Sequence, residues 1–137
     1  MKISAKVDYA CRVLAELARL HGTAALAQID HLARVESVPP HFLAQILSEL
    51  RHGGLITSRR GISGGYALAR APDQISLYDI FMVIDGDILG LTANQEGRTA
   101  RRMHEVWNEV RDALIEKTKL YTLDLLSARS PEEMYYI

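Results

Sequence analysis

At 137 residues the chain has the length of one domain with a core of its own and room for an appended element. Hydrophobic residues make up 48% and charged residues 24%, as in ordinary soluble proteins; no apolar run reaches membrane-spanning length and no signal-peptide stretch opens the chain, so no membrane partner and a cytoplasmic location are expected. The net charge of -1 argues against a polyanionic partner only if it is evenly spread, and it is not: residues 1–70 hold nine Lys or Arg against five Asp or Glu, residues 71–137 seven against twelve, so a half of +4 adjoins a half of -5.

The spacing predicts a first helix over residues 3–21, with Val7, Ala10, Cys11, Leu14, Leu17 and Ala18 on one face. Cys11 is the single cysteine, which excludes an intrachain disulfide framework and a multi-thiolate metal site. It sits mid-stripe, where an inert buried thiol is expected; a redox role would need exposure and a nearby positive charge. Lys2, Ser4 and Lys6 precede the buried part and are candidate phosphate contacts.

Two short apolar-periodic segments follow, Ile29 to Glu36 and Pro40 to His52, joined by a tight Ser37-Val38-Pro39 turn, with Gln28, a further candidate DNA contact, just ahead of the first. In the second, Leu43, Ile46, Leu47 and Leu50 form a stripe to be buried. Its opposite face carries His41, Ala44, Gln45, Ser48 and Arg51, spaced three and four apart so that they line up. Alone, that pattern fits any solvated helix face. Yet Gln and Arg are the types whose forked ends pair with base edges in a major groove, and Ser and His can reach bases or phosphates.

The sequence after this helix decides between the two. Gly53-Gly54 ends it, Leu55 to Arg60 reads as a strand, and Gly61-Ile62-Ser63-Gly64-Gly65 turns into Tyr66-Ala67-Leu68-Ala69. A glycine-rich turn lets backbone approach a partner closely, and Arg59 and Arg60 at its base suit a minor groove or a phosphate; Ser63 and Gly64 in the turn join them as candidate contacts. The whole reads as a helix-turn-helix with a wing.

Leu32-Ala33, Val38-Pro39, Phe42-Leu43, Gln45-Ile46-Leu47, Leu50-Arg51, Gly54-Leu55, Arg60-Gly61 and Gly64-Gly65-Tyr66, with the opening Met1-Lys2-Ile3-Ser4 and Tyr9-Ala10, resemble the signature of the Rrf2 family of bacterial transcription regulators over nearly the whole chain. The resemblance implies a start of the first helix near DNA. Three departures stand out. Gln28 occupies a position where the family usually has a Ser or Thr cap, Ser37 replaces a turn glycine, and Ala44 stands where cluster-binding relatives have a glutamate, so a carboxylate-to-cytosine contact is unavailable and the operator should differ.

Further along, Ser76-Leu77-Tyr78-Asp79 is a capping-box pattern opening a helix with Leu77, Ile80, Phe81 and Ile84 on its apolar side. Residues 85–98 lose periodicity and read as a loop. Relatives that hold an iron–sulfur cluster place three cysteines about here; this chain has none, so neither that cluster nor any other cofactor is expected. An unusual metal set of Asp8, Cys11 and His104 is disfavoured, because Cys11 belongs to the buried stripe and His104 sits among Glu105, Asn108 and Glu109.

From Thr99 to about Leu120 a long helix is predicted, with Met103, Val106, Trp107, Val110, Ala113 and Leu114 in one line. Such a stripe needs a second surface: either its own winged domain or the same helix of a second subunit. Two-fold pairing suits a protein that reads two half-sites, and the resemblance implies it too. Thr122 to Leu126 reads as a short apolar helix that docks on the core, and Ser130-Pro131-Glu132-Glu133 as the start of another turn. The closing Met134-Tyr135-Tyr136-Ile137 is apolar enough to cover a pocket or a partner surface.

The sequence thus predicts a mainly α protein: a winged helix-turn-helix domain over 1–84, a loop over 85–98 and a dimerisation helix with a docking segment over 99–137. The expected function is a homodimeric, sequence-specific DNA-binding regulator, a repressor of a palindromic operator in double-stranded DNA. The alternative is a winged-helix protein-interaction module, or a regulator governed by a partner protein or small ligand. Catalysis is not expected, since no His-Glu-x-x-His spacing, nucleophile elbow or phosphate loop occurs.

Overall fold

The first helix, α1 (Ala5–Leu20), starts where Ser4 turns the chain and its hydroxyl oxygen accepts the Val7 N–H at 3.2 Å. Its apolar stripe, including Val7, Ala10, Val13, Leu14 and Leu17, is buried. The computed structural model describes residues 2–128; the turn expected at Ser130 and the apolar end Met134–Ile137 lie outside them.

Helix α2 (Ile29–Glu36) ends at Ser37, which adopts left-handed backbone angles, φ 54° and ψ 46°. That conformation lets the N–H groups of Ser37 and Val38 both return to the Ala33 carbonyl and aims Val38 into the core. A residue with a Cβ is strained there, which is the physical reason a glycine suits the position. Ser37→Gly is expected to raise stability by up to about 1 kcal/mol, net of the added unfolded-chain entropy, measured by urea denaturation.

Helix α3 (Pro40–His52) begins on two prolines, whose missing N–H groups an opening turn does not need. Leu43, Ile46, Leu47 and Leu50 are buried as their spacing predicts. It stops in a six-residue reversal: Gly54, at φ 77°, donates to the Arg51 carbonyl at 3.1 Å and Leu55 donates to the Leu50 carbonyl at 3.0 Å. The chain then enters the wing, β1 (Ile56–Arg59) antiparallel to β2 (Gly65–Leu68), with Ile56 opposite Leu68 and Arg59 opposite Gly65. Ala27 bridges to Tyr66 through two hydrogen bonds, of 3.0 and 2.8 Å, so the segment before α2 holds the wing from its second edge.

Helix α4 (Leu77–Ile84) opens with the capping box seen in the sequence: the Ser76 hydroxyl accepts the Asp79 N–H at 3.2 Å, and the Asp79 carboxylate accepts the Ser76 N–H at 2.9 Å. The short α6 (Leu123–Leu126) docks as expected. Leu77 donates to the Tyr121 carbonyl and Leu123 to the Ile75 carbonyl, and Leu123 is buried where α6 packs against α1 and the Pro72–Gln74 turn.

Residues 85–98 form no helix or strand, but they are not simply a surface loop. Ile88 is buried with Val7 and Phe81, and the adjacent Leu89 takes a positive φ of 55°. Helix α5 (Ala100–Leu120) is held along its second half, where Arg111 donates to the Ile88 carbonyl at 3.1 Å and Leu114 and Ile115 pack on Val7, Phe81 and Ile88. Its stripe is therefore divided. Leu114 serves its own chain, whereas Met103, Trp107 and Val110 remain 39%, 42% and 43% exposed, with Val106 half-buried between them.

Candidate nucleic-acid interface

Burying the leucine side of α3 leaves His41, Ala44, Gln45, Ser48 and Arg51 in solvent on one face. The helix is braced at both ends of that face. At its start the Phe42 ring meets Tyr9 of α1 edge-on at 6.0 Å and lies 5.2 Å from the His41 ring. At its end Arg51 donates to the Ser58 hydroxyl of β1 at 3.3 Å. Helix and wing are thus joined through a guanidinium that keeps further N–H groups for a partner.

A second link comes from Gln28. Its side chain makes no cap to α2; instead its amide donates to the Ile62 carbonyl at the wing tip, at 3.0 Å. A shorter Ser or Thr would cap the helix but lacks this reach. Gln28, Asp30, Arg51, Ser58, Arg59 and Arg60 surround an open polar cleft of about 440 Å³ between α2, α3 and the wing. Three guanidiniums face one carboxylate there, and Arg59 and Arg60 have no ion-pair partner among the described residues. Such a cleft attracts anions.

The tip's shape depends on Gly64. A Cβ there would lie 2.1 Å from the Arg59 carbonyl oxygen, so no other residue permits the turn closed by its own N–H to the Gly61 carbonyl at 3.0 Å. Ser63 is exposed beside it. Ile62 was not among the residues expected from the sequence, yet it is 99% exposed at the tip, with its backbone pinned by Gln28. An apolar residue inside a glycine-rich polar turn was the available signal.

The N-terminal residues have separate tasks. Lys6 pairs with Glu49 of α3 at 2.7 Å, binding α1 to the helix that carries the polar face. The other Glu49 carboxylate oxygen is buried without a partner, so the lysine's charge is what makes that carboxylate tolerable. Ser4 spends its oxygen on the helix cap and keeps its proton to donate, while Lys2 is exposed and lies on the side of a different cavity.

Against known proteins, the family model Rrf2, described as an iron-dependent transcriptional regulator, matches residues 3–129. The HTH-type transcriptional regulator CymR of Bacillus subtilis (strain 168) is 36% identical over 141 residues, covering 100% of both chains. The structure of B. subtilis CymR, described as the global cysteine regulator, superposes with a TM-score of 0.80 at 35% identity, over 93% of this chain and 96% of that one. IscR of T. potens gives 0.75 at 27% identity, over 99% and 97%. The chain belongs to the Rrf2 family.

This Rrf2 protein is accordingly a winged-helix, DNA-binding transcription regulator and not an enzyme. Its residues do not fit the iron that the family description implies. The 85–98 loop contributes no thiol, and among the described residues no three His, Cys, Asp or Glu side chains converge to hold a metal ion, so Asp8, Cys11 and His104 form no joint site. Burial, with the Asp8 carboxylate adding to it, pushes the Cys11 thiol up to about 12, so at neutral pH it is a protonated thiol rather than the thiolate a metal or oxidant requires. Among the described residues no helix is long and apolar enough to cross a membrane.

Proposed function

We propose that this regulator acts as a homodimer on a palindromic operator in double-stranded DNA, repressing by occupying a promoter in the cytoplasm and without an iron–sulfur cluster. The observation that carries this reading is the joining of the wing to the exposed α3 face by Arg51–Ser58 and to the start of α2 by Gln28–Ile62, which brings two reading edges into one surface. Selectivity comes from His41, Gln45, Ser48 and Arg51 at base edges in the major groove. Affinity comes from Arg59 and Arg60 at the adjacent minor groove or phosphates, with Lys2, Ser4 and the wing-tip Ser63 and Gly64 on the backbone. Gln28 and Lys6 act by holding that surface together.

Pairing through Met103, Val106, Trp107 and Val110 supports the two-fold arrangement, because these residues leave their own domain on an otherwise charged helix. Leu114 contributes at the edge while packing inward.

A gel-shift on fragments of the genome, followed by footprinting, tests the reading; a protected site without two-fold symmetry, or no retarded fragment, defeats it. Phosphate contact has its own signature. Arg60→Ala is expected to weaken binding to all duplexes alike and to make the fall of log affinity with log salt shallower by about 2 per dimer, one contact per subunit, while thermal stability is unchanged. An unaltered slope removes the arginine from the phosphate backbone.

A further inference from the structure

A second cavity, of about 420 Å³, lies between α1, α4, the 85–89 loop and the docked half of α5. Its volume is in the range of small-molecule sites, and Val7, Phe81, Ile88 and Leu114 give it apolar walls. Two features of its rim are costly to the fold. Leu89, a bulky residue, lines it at a φ of 55°, a conformation that persists only where surroundings impose it. Asp85 caps the C-terminal end of α4, the negative end of the helix dipole, with no basic residue in the last turn.

The charges of the wall are unbalanced. It holds Asp8, Asp85 and Asp87 against one ammonium, Lys2. Asp8 is paired with Arg12 at 2.7 Å and Asp87 with Arg111 at 3.3 Å. Asp85 has no cationic partner among the described residues, and Lys2 pairs with none of the three. A carboxylate on a helix's negative end, at the mouth of an apolar hollow, is complementary to a cation with an apolar body.

We propose that this cavity binds a small organic ammonium compound, its apolar body among Val7, Phe81 and Leu114 and its charged end at Asp85. Such a ligand spans the lead-in to α1 and the helix proposed to pair the subunits, and so it touches both parts on which operator reading rests. The proposal goes beyond the DNA-binding reading and is tested without DNA.

Three probes of similar size serve on the full chain in its native oligomeric state: phenethylamine, phenethyl alcohol and 3-phenylpropanoate, followed by amide shifts in NMR titrations. Phenethylamine should bind roughly tenfold more tightly than the carboxylate, with the alcohol between, and its shifts should centre on Asp87–Leu89. Asp85→Asn removes a carboxylate from an unfavourable position and so should fold at least as well; it should bring the amine down to the alcohol's affinity. Leu77→Trp, which fills the hollow, should abolish binding of all three. No shifts at Asp87–Leu89, equal affinity for amine and carboxylate, or an Asp85→Asn variant that keeps the preference each overturn the proposal. A cavity that fails these tests leaves the gel-shift result standing, and the reverse holds as well.

Discussion

Gln45→Ala should lower affinity for the operator by on the order of a hundredfold or more while leaving binding to unrelated duplex DNA nearly unchanged. Gln45 stands in the middle of the exposed α3 face, one turn from both His41 and Ser48, with the buried Leu43, Ile46 and Leu47 fixing the helix behind it. A forked amide there matches the N6 and N7 edge of adenine, and one such pair is worth about 1–3 kcal/mol. A homodimer presents the residue twice, so the two losses combine. Alanine is a better helix former than glutamine, so the fold is not at risk. Equal weakening on specific and unrelated DNA would show that Gln45 meets the backbone instead, and no change would take it out of the interface.

Val110→Asp tests the pairing, and its expected effect is at least as large. Val110 lies on the half of α5 that leaves the domain and is 43% exposed, so an isolated subunit should tolerate the charge. Between two subunits the same carboxylate would be buried without a partner, which costs several kcal/mol per ion. Sedimentation should show a monomer at micromolar concentration, circular dichroism should show unchanged helix, and operator affinity should fall by roughly a hundredfold or more because each half-site then binds alone. A dimer that survives would move the interface off this face of α5.

How much of this was legible beforehand depended on the range of the interaction. The α3 stripe, the capping box at Ser76 and Asp79 and the glycine end of α3 are all local: each is decided by residues within about two turns, whose spacing is written directly in the chain. Ser37 was legible as a departure, and the structure supplies its consequence in a left-handed turn. Gln28 was read as a poor cap because the cap is the local option; its real partner is the Ile62 carbonyl, 34 positions away. Lys6 reads as a candidate phosphate contact, and its ammonium is engaged with Glu49, 43 positions on. The α5 stripe reads as one line, but it is divided: Leu114 packs on Val7, Phe81 and Ile88 of its own chain, whereas Met103, Trp107 and Val110 keep about two-fifths of their surface exposed.

By itself the sequence determined the main helices, the inward sides of α1, α3 and α4 and the wing with its arginines, because helical and strand periodicity and turn chemistry act over a few residues. Tertiary packing alone decided which cations stay free, how Gln28 and Arg51 lock the wing to α3, and that a hollow lined with acids opens beneath α1. Those are relations between segments far apart in the chain. Their energies depend on distances and burial that exist only once the helices have been laid against one another.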